Sequence, residues 1–156
     1  MGDETNAELP SMQDATRRLH LVFGWWQLLV FLSLGIGLEM MHGFKVGWYL
    51  DADQETRRLM LTLAHTHGTL LGLVNLAFSW SVTQIGGWKS SNLWVASRSL
   101  IAASVLMPLG FFLGGLITYA GDPNLAILLL PAGGFFLLVS ALLTALAATK
   151  STGRQT

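Results

Sequence analysis

Apolar and polar residues are sorted along this chain into long blocks rather than short alternations. Four apolar blocks run roughly over 19–42, 59–83, 95–119 and 124–149, separated by connections 43–58, 84–94 and 120–123. Each block exceeds the roughly 20 residues that a helix needs to cross a hydrocarbon layer. Short connections between such helices favour sequential up-and-down packing. The pattern predicts an all-α, four-helix transmembrane bundle, flanked by polar tails at 1–18 and 150–156.

Local signals refine the blocks. Asp51 and Asp53 offer N-caps ahead of the second helix, with Gln54 three residues after Asp51 as in a capping box. The run 120–124, Ala-Gly-Asp-Pro-Asn, reads as a turn. Pro108 and Pro131 fall inside helices 3 and 4 and each removes a backbone donor, which predicts that each helix kinks or locally opens there. Gly68-x-x-x-Gly72 and Gly110-x-x-x-Gly114 are small-residue patterns at which helices approach closely, within the bundle or across a dimer.

Composition agrees with the pattern. Of 156 residues, 52% are hydrophobic and 12% charged, against about 25% charged in a soluble domain. A formal net charge of zero gives no basic field for nucleic acid. The absence of cysteine excludes disulfides, iron–sulfur clusters, thiolate metal sites and covalent haem attachment through cysteine on this chain. Residues 1–18 carry four acids before any basic residue, unlike a secretory signal, so they read as a flexible cytoplasmic extension and the first apolar block as the inserting segment.

The basic residues set the orientation. With four spans, Arg17, Arg18, Lys89, Arg98, Lys150 and Arg154 share one side and Lys45, Arg57 and Arg58 the other, which places both termini in the cytoplasm of a plasma (inner) membrane. Aromatic residues flank the spans: Trp25, Trp26, Trp80, Trp88 and Trp94 toward one side, Trp48, Tyr49 and Tyr119 toward the other. Gln27 and Arg98 lie near the cytoplasmic end, where Arg98 can snorkel to the headgroups.

The candidate chemistry is the pair His65 and His67, embedded in apolar sequence where an unpartnered imidazole is costly. Two residues apart on a helix, they point about 200° apart and cannot share one small ion. His65 shares its face with Thr62, Thr69, Gly72 and Ser79; His67 shares its face with Leu63, Leu71, Asn75 and Phe78. Helix 1 ends with Glu39 and His42 on one face. At 1.5 Å per residue, Glu39 lies about 5 Å deeper than His42, His65 about 9 Å and His67 about 12 Å. Glu39 can therefore meet His65, whereas His67 is left with Asn75 or another molecule.

Three readings follow. In the leading one no cofactor is bound and the histidines tie helices together: His65 bonds Glu39 or a backbone carbonyl, and His67 bonds Asn75 or a neighbouring helix. In the second, His67, or else His65, is an axial ligand of haem b, with a second copy or another subunit supplying the other ligand. In the third, Glu39, His42 and His65 hold a divalent metal or relay protons. Met40 and Met41 add soft donors nearby, but methionine in an apolar helix is usually packing.

The stretch 63–78 resembles helix 2 of haem–copper oxidase subunit I, where a histidine near the start of an apolar, glycine-containing helix binds low-spin haem. About half of the chain also resembles, more closely, a bacterial family of small four-helix membrane proteins. The pieces that match are Gly35-Ile-Gly-Leu-Glu39, the 43–58 loop and His65-Thr-His67. That family's helix 4 is expected to hold a histidine, where this chain reads Pro131-Ala-Gly-Gly-Phe-Phe. The resemblance implies a small haem b- or metal-binding accessory subunit of respiratory electron transfer, not an enzyme in its own right. The alternatives are a structural or assembly protein without cofactor, and a small-solute or proton transporter. A homo-oligomer or a larger membrane complex is the expected setting.

Overall fold

A computed structural model describes residues 4–50, 55–86, 88–119 and 121–152. Helix α1 spans Glu4–Gly43, α2 Gly47–Leu50, α3 Glu55–Gln84, α4 Ser90–Leu116 and α5 Leu129–Thr152. A two-residue ribbon, β1 (Thr118–Tyr119) against β2 (Asp122–Pro123), and a 3-10 turn at Leu125–Leu128 join α4 to α5. Among the described residues four helices are long and apolar enough to cross a membrane, which fits a multi-pass integral membrane protein.

The first helix is longer than the hydrophobic pattern predicts. Residues 4–18, expected as a flexible extension, continue α1. Over 12–17 the helix is held to the bundle: Met12 packs on the Phe78–Trp88 cluster, Thr16 is buried, and the Arg17 carbonyl accepts the Ser79 hydroxyl at 2.8 Å. The capping residues proposed at 51–54 lie outside the described residues.

The exit from α1 is a Schellman turn. Val46 N–H bonds the Met41 carbonyl at 3.0 Å and Lys45 N–H bonds the His42 carbonyl at 3.1 Å. The turn needs a left-handed residue at its fifth position, and here Lys45 adopts φ 53° where glycine would be unstrained.

The two prolines act differently. Pro108 lies in the interior of α4. Pro131 is the third residue of α5, within the first turn, where helical N–H groups have no partner to lose. It opens that helix instead of kinking it. Asn124 fastens the junction: its amide donates to the Leu113 and Ile117 carbonyls at 2.7 and 3.0 Å, and its oxygen caps Ala126 N at 2.8 Å.

Packing is sequential, α1 on α3, α3 on α4 and α4 on α5, with α1 touching α4 along a thinner seam. Half of the most apolar stretch of α4 is buried but only 11% of that of α5, so α4 is the centre and α5 an outer helix. Glycines set the close approaches. A Cβ on Gly24 would lie 3.0 Å from the Gly72 carbonyl, which marks the crossing of α1 and α3. Gly68 seats the Phe31 ring, and Gly110 faces Leu129 and Leu130. Both small-residue patterns thus face this chain's own helices.

Two apolar clusters bracket the bundle. One joins Phe78, Val82, Trp88, Leu93, Ala96, Leu100 and Ala147; the other joins Leu38, Tyr49 and Leu61. Trp88 and Tyr49, expected at the interfaces, are core residues 5% and 4% exposed, while Trp25, Trp26, Trp80 and Trp94 are exposed.

Candidate functional site: a buried polar ladder

Between the two apolar clusters α1, α3 and α4 meet through polar side chains. His20 and Gln27 are seven residues apart on α1, Ser97 and Ser104 seven apart on α4. Seven residues are close to two helical turns, so each pair shares a face. His20 Nε2 lies 2.8 Å from Ser97 Oγ, and Gln27 Nε2 donates to the Ser104 carbonyl at 3.1 Å. Both rungs span the same offset, 77 residues.

Asn75 of α3 joins the rungs. Its Nδ2 donates to the Leu71 carbonyl and to Ser104 Oγ, each at 2.8 Å, with Gln27 Oε1 at a longer 3.4 Å. Its Oδ1 lies 2.6 Å from His20 Nδ1. The proton positions follow from this. A carbonyl only accepts, so Nδ2 is the atom facing Leu71 and Oδ1 the atom facing His20. His20 Nδ1 must carry the hydrogen, and in the neutral ring Nε2 then accepts from the Ser97 hydroxyl. His20 and Asn75 are both 0% exposed, so no solvent can replace any of these bonds. The Phe78 ring closes the site edge-on at 4.6 Å from the His20 ring.

Gln27 has a particular task. The N–H that would normally bond the Ser104 carbonyl belongs to the residue four positions on, and that residue is Pro108. Proline leaves the carbonyl without a partner inside its own helix. Gln27 supplies the missing donor from α1. Such re-satisfaction by a neighbouring helix is what makes an interior proline tolerable in a membrane span.

The predicted site residues lie elsewhere and do not assemble. His65 Nδ1 bonds the Phe31 carbonyl at 2.7 Å, with its ring seated on Gly35, so its partner is the backbone of α1 and not Glu39. Glu39 and His65 line a common cavity of about 550 Å³ with Tyr49 and Thr62, but Glu39 is exposed and no hydrogen bond joins the two. His42 is exposed and borders a different cavity with Glu55 and Arg58. His67 Nδ1 bonds the Leu63 carbonyl of its own helix at 2.9 Å and its ring packs on Phe111 at 4.7 Å; Asn75 is engaged by His20 instead. Among the described residues no three His, Cys, Asp or Glu side chains gather closely enough to hold a metal, so Glu39, His42 and His65 form no such set. The cause is the turn of the His65 ring inward over Gly35, away from the end of α1 that carries His42.

His20 is the residue that sequence reasoning missed. Beside Arg17 and Arg18 it reads as an interfacial residue, yet its seven-residue spacing to Gln27, matched by Ser97 and Ser104, was a visible signal. No protein-family model matches the chain, and comparison with curated proteins and with solved structures returns no match.

Proposed function

We propose that the protein is a non-enzymatic subunit of the plasma (inner) membrane, up-and-down with both termini cytoplasmic, whose intramembrane histidines hold helices together. Its setting is a larger membrane complex or a homo-oligomer. The observation that carries this reading is the polar ladder itself: His20, Gln27, Asn75, Ser97 and Ser104 bind one another and backbone across three helices. Up-and-down order is supported by contact direction. The 77-residue offset recurs at both α1–α4 rungs, whereas α1–α3 partners converge, Arg17 with Ser79 and His65 with Phe31. Cytoplasmic termini are supported by the six-to-three division of basic residues.

A specific observation favours a second reading, haem b. His65 and His67 each commit Nδ1 to a backbone carbonyl, leaving Nε2 as the free lone pair. That is how a haem- or metal-ligating imidazole is commonly oriented. His67, or His65 toward its cavity, would be the axial ligand, and a second copy would provide the other. Bound haem b would supply one-electron transfer, the chemistry that the resemblance of 63–78 implies.

The visible spectrum of protein purified in mild detergent separates the two. The structural reading expects no haem absorbance, and a thermal midpoint lowered more by His20→Ala than by His67→Ala. A Soret band that disappears in His67→Ala or His65→Ala would overturn it in favour of haem.

A further inference from the structure

On the side of the α1–α4 seam that α3 does not cover, a groove of about 680 Å³ opens toward the lipid. Its walls are apolar, among them Trp26, Phe31, Val105 and Leu109, with Pro108 also lining it. Ladder residues Gln27 and Ser104 line it as well. Hydrogen-bond accounting shows what they have left. Gln27 uses one of its two amide hydrogens on the Ser104 carbonyl. Ser104 Oγ accepts from Asn75, and its own hydroxyl hydrogen has no acceptor among the described residues. Two unspent donors, on side chains 6% and 3% exposed, thus border a groove whose one other polar lining residue is Ser33.

We propose that this groove binds a lipid-soluble molecule with a carbonyl head and an apolar tail, of the quinone class. The Gln27 N–H and the Ser104 O–H donate to a ring carbonyl, and the tail leaves along Trp26 and Val105 into the bilayer. The volume lies within the range of small-molecule sites, which are mostly apolar with a few orienting polar groups. Donors suit this ligand specifically. An acyl chain offers no acceptor for them, and a charged headgroup would have to leave the interface to reach them. The proposal does not depend on whether His65 or His67 carries haem.

The test is equilibrium binding of decyl-substituted benzoquinone, with decylbenzene as the carbonyl-free control, to the purified full chain in nanodiscs. Saturable quinone binding is expected, at least about tenfold tighter than the control, the value of one hydrogen bond of about 1.4 kcal/mol. Ser104→Ala should weaken quinone binding while leaving decylbenzene unchanged. Val105→Trp, which fills the groove without touching the ladder, should abolish binding while the thermal midpoint without ligand stays near wild type. Equal binding of quinone and decylbenzene would overturn the proposal and make the groove an acyl-chain crevice. So would the absence of saturable binding, or full binding by the Val105→Trp protein.

Discussion

Replacing Gln27 with leucine removes the donor that stands in for the missing N–H of Pro108. The Ser104 carbonyl is then left in a site where Ser104 is 3% and Gln27 6% exposed, out of reach of water. A buried acceptor without a partner costs about 1–3 kcal/mol, and interhelical hydrogen bonds in membranes are worth about 0.6–2 kcal/mol. About 1–2 kcal/mol is therefore expected for Gln27→Leu. The substitution creates no second orphan, because the two Asn75 hydrogens keep their shorter bonds to Leu71 and Ser104. Pro108→Ala restores the backbone donor within α4. In that background Gln27 is redundant, so Gln27→Leu should cost little. Pro108 is fully buried and its own loss leaves a cavity, but that cost enters both arms of the cycle and cancels. Unfolding of the four proteins by SDS titration from mild detergent, followed by tryptophan fluorescence, yields the coupling, expected at about 1 kcal/mol or more. Additivity within about 0.5 kcal/mol would mean that the two residues act independently and would refute the reasoning.

Other sites offer independent checks. Lys45→Gly should raise the thermal midpoint, since a non-glycine residue in the left-handed region costs about 1–2 kcal/mol; Lys45→Ala, which keeps the Cβ, should give no such gain. Gly68→Ala should destabilise by about 1–3 kcal/mol because its Cβ would enter the Phe31 ring, whereas Gly37→Ala, with nothing within 4 Å, should be neutral or slightly stabilising in the same melt. Asn124→Ala should speed proteolysis of the α4–α5 junction, since it deletes the cap of the 3-10 turn and both bonds to the end of α4. Unchanged cleavage there would show that the ribbon alone holds the turn.

The spans were legible because crossing a membrane depends on length and summed hydropathy, and both are written in single segments. Helix rotation is not. Which side of α1 faces inward depends on what α3 and α4 present to it, and that is why His20 was overlooked beside two arginines while His65 and His67 drew attention. The angular separation of His65 and His67 was derivable, since it belongs to one helix. Their partners were not, because both turned out to be backbone carbonyls, which every residue carries and no sequence pattern distinguishes. Residues 9–18 show the same limit: their polarity suggested solvent, yet Met12 packs on the bundle and Thr16 is buried.

Proline provides the part of the site that could have been worked out in advance. An interior proline announces an unpaired carbonyl four residues earlier, and the bilayer requires some other group to pair it. For Pro131 the need does not arise, because it stands in the first turn of its helix. For Pro108 the carbonyl is Ser104, and the donor has to come from a neighbouring helix at matching depth. Few polar residues with a free N–H lie within the spans, and Gln27 is one of them. Once Gln27 is set against Ser104, moving seven residues along both helices sets His20 against Ser97, so one covalent fact about proline fixes the register of α1 on α4 and brings the overlooked histidine into the core.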